Sequence, residues 1–219
     1  MPEAVLFDLD GVIVDSESAW AEAKHELVDE AGGTWKPDAT RAMLGMSSPE
    51  WSRYLRDELG VPLSVEEINT AVVATLECRY RKALPLIPGA VDAVRRIADF
   101  WRLGLASSSN REIIDLVLEH AGLTDAFTVT VSSEEVARGK PAPDVYLEAA
   151  RRLGADPARC VAIEDSSNGL RSAAAAGAAV VAIPNREFPP DPDALALADA
   201  VLASIEELTP EVVARLRRA

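Results

Sequence analysis

Six short apolar runs divide this chain, at residues 4–9, 103–107, 127–131, 161–163, 178–183 and, more weakly, 200–203. They are nearly continuous rather than alternating. Strands that read this way are buried on both faces, as in parallel sheets. Helical patterns fill the intervals. Residues 89–101 repeat Val91, Val94, Ile97 and Ala98, and residues 113–121 repeat Ile113, Leu116, Val117 and Ala121 before Gly122. Pro143 suits the first position of a helix reaching Leu153, with Gly154 just past its end. A short Ala-rich helix spans 170–176. Strand and helix in alternation predict a doubly wound, mainly parallel, Rossmann-like α/β sheet. Such sheets receive ligands at the carboxyl ends of their strands.

Residues 16–84 break this rhythm. They hold helical patterns at 18–31, 49–59 and 65–84 but no convincing strand, and Ser64 with Glu67 forms a capping box before the third. The expected organisation is a core of residues 1–15 and 85–219 with a helical subdomain, 16–84, inserted after the first strand.

Charge narrows the partners. Twenty-two basic against thirty-six acidic residues leave a formal charge of −14. Such a chain repels nucleic-acid backbones and anionic membranes. An anionic substrate then needs a local cation. Cys78 and Cys160 are too few and too far apart for a disulfide scaffold or a zinc site. No run approaches the ~20 apolar residues of a spanning helix. The segment before the first run carries Glu3 and no base, unlike a signal peptide. A cytoplasmic monomer is expected.

Four polar clusters close the apolar runs or follow them. Asp8 and Asp10 end the first. A turn cap accounts for Asp10 but not for Asp8, which interrupts the run. Ser107, Ser108, Ser109 and Asn110 follow the second and could cap a helix or receive an anion. Gly139-Lys140-Pro141 sets one lysine between a flexible and a rigid residue. Glu164 and Asp165 end the fourth run, and a helix cap explains only one of them. Acids gathered at one sheet edge without Cys or His call for a hard cation, with Mg²⁺ favoured over Zn²⁺. A metal, a lysine and helix N–H groups together suit a phosphoryl group.

In order and spacing, Asp8-Leu-Asp-Gly-Val, Ser107, Gly139-Lys140-Pro141 and Glu164-Asp165 resemble the four motifs of the haloacid dehalogenase superfamily. The helical insert resembles the cap of its β-phosphoglucomutase-like group. The segment Asp15-Ser-Glu-Ser-Ala-Trp20 is similar to that of hexose- and hexitol-phosphate phosphatases. The resemblance implies a Mg²⁺-dependent phosphatase acting on a small phosphorylated metabolite, a sugar or polyol phosphate. It implies Asp8 as nucleophile and Asp10 as general acid and then base. Mg²⁺ would be held by Asp8, the Asp10 carbonyl and Asp165, with Glu164 ordering a metal-bound water. Lys140, Ser107 and the Ser108 N–H would hold phosphate. Beside Mg²⁺ and Lys140, Asp8 should be the more acidic of the two aspartates. Trp20 and the turn from Gly45 through Ser48 are the cap candidates for substrate choice, and the hinge should lie near residues 15–17 and 84–88. His25 and His120 are expected to be structural. A phosphomutase is the alternative. That pattern carries His where Trp20 aligns and Arg near Ser48, and both departures count against it. Dehalogenase relatives lack the second acid, so Asp10 argues against that activity.

Overall fold

The chain's three-dimensional structure, a computed structural model, describes residues 1–43 and 46–216. All six apolar runs are strands: β1 (Ala4–Phe7), β2 (Arg102–Ser107), β3 (Phe127–Ser132), β4 (Cys160–Glu164), β5 (Ala179–Ala182) and β6 (Ala200–Val201). They form one parallel sheet in the order β3-β2-β1-β4-β5-β6. Val5 and Phe7 of β1 pack on one face, Ala4 and Leu6 on the other. Side chains alternate in direction as in any strand, but both faces are covered, so polarity does not alternate.

The first face is covered by α5 (Ala90–Ala98), α6 (Arg111–His120) and α10 (Pro210–Arg215), through Ile97, Ile113, Val117 and Val213. The second is covered by α7 (Asp144–Leu153) and α8 (Ser167–Ala175), through Tyr146, Ala149 and Leu170. A single-turn helix, α9 (Pro192–Leu195), precedes β6. Pro143 caps α7 from just outside rather than opening it, and Gly154 ends that helix with a φ of 64°. Strand order reverses at β1, whose neighbours are β2 on one side and β4 on the other. The crevice between the ends of β1 and β4 is therefore the switch point at which such sheets hold ligands. The first acidic pair follows β1, and the second ends β4 with Glu164 and continues to Asp165.

Between β1 and α5 lie α1 (Glu17–Glu30), α2 (Ala39–Ala42), α3 (Ser48–Asp57) and α4 (Val65–Lys82). Helices α1 and α3 both pack on α4, around Trp20, Trp51, Leu55, Ile68 and Leu76. The expected capping box forms: Ser64 Oγ accepts from Glu67 N at 3.2 Å, and Glu67 Oε2 accepts from Ser64 N at 2.9 Å. A second box at Ser47 and Glu50 starts α3. The segments entering and leaving this region run side by side. Val14 and Leu86 form an antiparallel bridge, Asp15 N donates to the Pro85 carbonyl at 2.8 Å, and Ile87 N to the Ile13 carbonyl at 3.0 Å. Among the described residues no helix is long and apolar enough to cross a membrane.

Candidate active site

Asp8 leaves β1 with its N–H on the Ile163 carbonyl of β4, 3.0 Å away. The chain then turns at Gly11, where φ is +73° and a Cβ would stand 1.9 Å from Asp165 Oδ2. Only glycine meets both demands. The turn brings the first acidic pair against the second. Carboxylate oxygens of Asp8, Glu164 and Asp165 lie within 4.8 Å of one another, and all three residues are buried.

Lys140 is the cation on hand. Its Nζ lies 2.6 Å from Glu164 Oε1 and 2.8 Å from Asp8 Oδ1, and the second contact is an ion pair without hydrogen-bond alignment. The Lys140–Pro141 peptide is cis. Burial alone would lower the Lys140 ammonium, but Asp8 and Glu164 outweigh it and hold it above its usual value. Glu164 also accepts from Tyr146 OH at 2.7 Å, Asp165 N at 3.1 Å and Ser166 Oγ at 3.4 Å. Its oxygens are thus largely committed to anchoring Lys140 and the start of α8. A Cβ on Gly169 would lie 1.9 Å from Glu164 Oε2, so that close approach requires glycine.

One ammonium does not balance three carboxylates. Burial, then repulsion from Glu164, pushes the Asp8 carboxyl up to about 8 despite Lys140. Burial and the same neighbour push Asp165 well above the carboxylate range. Lys140 by itself therefore does not make Asp8 acidic. A further cation would relieve this repulsion. The donors are all oxygens, which suits a hard divalent ion.

Asp10 is held by other partners. Its Oδ1 accepts from Ser16 Oγ at 2.5 Å and Trp20 Nε1 at 3.2 Å; its Oδ2 accepts from Ser109 Oγ at 2.6 Å and Ser107 Oγ at 3.3 Å. Trp20 thus directs its indole N–H at Asp10. Ser107 is buried and also accepts from Ser109 N at 3.0 Å. Ser108, with Asp8, Asp10, Lys140 and Asp165, lines a cavity of about 530 Å³. Ser48 does not line it. Its Oγ donates to Asn110 Oδ1 at 2.7 Å, while Asn110 Nδ2 donates to Asn69 Oδ1 and Glu134 Oε1 at 3.2 and 2.7 Å. This tie joins α3 and α4 to the N-cap of α6. Gly45 lies outside the described residues. His25 stacks on Trp35 and His120 Nδ1 lies 3.0 Å from the Leu116 carbonyl, both away from the acids.

Sequence reading missed four side chains around the acids. Ser16 lies in the segment likened to hexitol-phosphate phosphatases but was given no role there, and Tyr146 carries no motif. Glu17 and Lys24 share the Trp20 face of α1 by their spacing of three and then four, a signal that was available. Lys24 is 8% exposed, with Nζ 5.2 Å from the Trp20 ring centroid and 5.1 Å from that of Trp51. Burial draws its ammonium down to about 8 against the pull of Glu17 and Asp10. Burial pushes Glu17 up to about 7.

Residues 2–177 match the haloacid dehalogenase-like hydrolase family. Hexitol phosphatase B of Escherichia coli is 35% identical over 212 residues, covering 94% of each chain. A crystal structure of CbbY from Rhodobacter sphaeroides in complex with phosphate superposes with a TM-score of 0.85 at 30% identity, covering 95% of this chain and 96% of that one. β-Phosphoglucomutase from Clostridium difficile superposes at 0.83 with 25% identity, covering 98% and 96%.

Proposed function

The chain belongs to the haloacid dehalogenase-like hydrolase family and is a phosphoric monoester hydrolase, and we propose that it cleaves a sugar or polyol phosphate through an aspartyl-phosphate on Asp8. The observation that carries this reading is the buried Asp8–Glu164–Asp165 trio with Lys140 on two of its members.

Asp8 is the nucleophile. One of its oxygens bonds to phosphorus as the bond to the leaving oxygen breaks, and Asp10 gives that oxygen a proton. Asp10 then takes a proton from water as the water attacks phosphorus and frees Asp8. Ser16, Trp20 and Ser109, which donate to Asp10, fix its direction for both transfers, leaving the Ser107 hydroxyl to turn from Asp10 to the phosphate. Lys140 orients Asp8 and offsets phosphate charge. Ser107 and the Ser108 N–H bind phosphate oxygens. Asp8, the Asp10 carbonyl and Asp165 are the residues to hold Mg²⁺, which when bound neutralises phosphoryl oxygens. Glu164 serves chiefly by fixing Lys140. Residues 16–84 act as a cap over the core, 1–15 and 85–219, moving on the paired stem at Val14 and Leu86 and excluding water until the leaving group has gone.

The likeness to β-phosphoglucomutase keeps a phosphomutase as the second reading. The Trp20 indole on Asp10, where that pattern carries His, disfavours it. A phosphate-release screen over phosphorylated metabolites with Mg²⁺, and with EDTA, tests the proposal. Release from hexose or hexitol phosphates, lost with EDTA, is expected. Isomerisation of β-glucose 1-phosphate with a bisphosphate primer, without phosphate release, would replace it by the mutase.

A further inference from the structure

A second, smaller cavity of about 70 Å³ adjoins Asp10 on the cap side, lined by Glu17, Trp20, Lys24 and Trp51 together with Ser108 and Ser109 of the core. It lies beside the group assigned to protonate the leaving oxygen, so the carbon chain of the leaving group is what would enter it. Lys24 is nearly buried there, above two indole faces. Among the described residues it forms no hydrogen bond and no ion pair within 4.0 Å. Glu17, close enough to influence it electrostatically, leaves a gap rather than closing on it.

We infer that Lys24 and Glu17 select a leaving group with neighbouring hydroxyls, Lys24 donating to one hydroxyl oxygen and Glu17 accepting the proton of the next, while Trp20 and Trp51 cover its C–H faces. The inference rests on the phosphatase reading and refines its substrate class. An ammonium can only donate and a carboxylate only accept. A second phosphate or a carboxylate on the substrate would satisfy Lys24 but be repelled by Glu17 and Asp10. A substrate amine would satisfy Glu17 and be repelled by Lys24. A hydroxyl both donates and accepts, so a neutral polyol chain satisfies both residues. The indole faces supply the apolar contact such a chain needs on its other side.

The test compares two esters, sorbitol 6-phosphate and propyl phosphate, in the wild-type protein and two variants. Lys24→Met keeps the aliphatic stem between the tryptophans and removes the donors. Glu17→Gln keeps the shape and removes the charge. The quantity read is kcat/KM for the hydroxylated ester divided by that for propyl phosphate. Lys24→Met should lower this ratio by about 10- to 100-fold, mainly through KM, as loss of a charged hydrogen bond does. Glu17→Gln should lower it about threefold or more. Ratios within twofold of wild type in both variants, whatever happens to each rate alone, would overturn the inference while leaving the phosphatase reading intact. If Lys24→Met does not fold, the ratio in Glu17→Gln decides. A wild-type protein that releases phosphate from neither ester nor any other would overturn both readings.

Discussion

Two buried charged corners meet at Asp10, and they are built differently. In the core corner, three carboxylates crowd one lysine at the ends of β1 and β4, and their positions are set by strands paired on both sides. In the cap corner, one lysine and one glutamate sit on a single helix among indole rings, without an ion pair between them. The first arrangement carries an excess of negative charge that a hard cation would relieve. The second has near balance and unoccupied hydrogen-bonding capacity. On the proposed reading the reacting groups sit at strand ends, and the contacts that choose a leaving group sit on a helix of the inserted region.

The largest expected effect separates function from stability in the core corner. Asp8→Asn removes the proposed nucleophile, and phosphate release should fall on the order of 10⁴-fold or more. The same change removes one of the mutually repelling carboxylates, and Lys140 keeps Glu164. The metal-free variant should therefore melt higher than metal-free wild type in scanning calorimetry. A variant with full turnover would remove Asp8 from the mechanism. A variant that melts lower would show that the trio is not under electrostatic strain.

A middle effect compares the corners through pH. In the folded, metal-free protein Asp8 titrates near 8 instead of 3.8, so between these values the folded state binds more protons than the unfolded state. Stability should therefore fall as pH rises through this window. Asp165, raised for the same reasons, adds to the slope, and so does Glu17, pushed from 4.5 up to about 7. Mg²⁺ should raise the melting temperature more at pH 8 than at pH 6, because fewer protons then compete for the ligand oxygens. The part of the slope owed to Glu17 should persist in Mg²⁺. Melting curves from pH 5 to 8 with EDTA and with Mg²⁺ check both points. A Mg²⁺ shift that does not grow with pH would mean that the trio is not where the ion binds.

The same contrast explains what could be read from the residues in order. β1 and its acids were legible because Asp8 breaks an apolar run, and a buried carboxylate there needs a reason. The parallel, doubly wound sheet followed from near-continuous apolar runs alternating with helical patterns, while its strand order came only with the structure. Tyr146 was not legible: it falls on the apolar face of α7, where its ring reads as packing and its hydroxyl leaves no trace. Lys24 and Glu17 belong to a helix rich in charge, and such residues normally mark a solvated face. Only the packing of α1 against α4 and over Asp10 buries Lys24 and half-buries Glu17. Ser48 looked like a residue facing the substrate, yet its hydroxyl ties α3 to Asn110, just ahead of α6. Helix α2 is a single turn, too short for periodicity to register.

That tie gives the smallest effect. Ser48→Ala deletes a buried hydroxyl donor and leaves Asn110 with Asn69 and Glu134. The expected loss is about 1 kcal/mol, which for a chain of this size lowers the melting temperature by about 2–4 °C. The bond joins α3 to the N-cap of α6, so its loss should favour the open cap. KM should rise by about two- to fivefold, following the same energy, while kcat stays level or rises where cap opening limits turnover. A fall in kcat with KM unchanged would mean that Ser48 supports the chemistry at Asp10 rather than cap closure, and would move the boundary between the two corners to include α3.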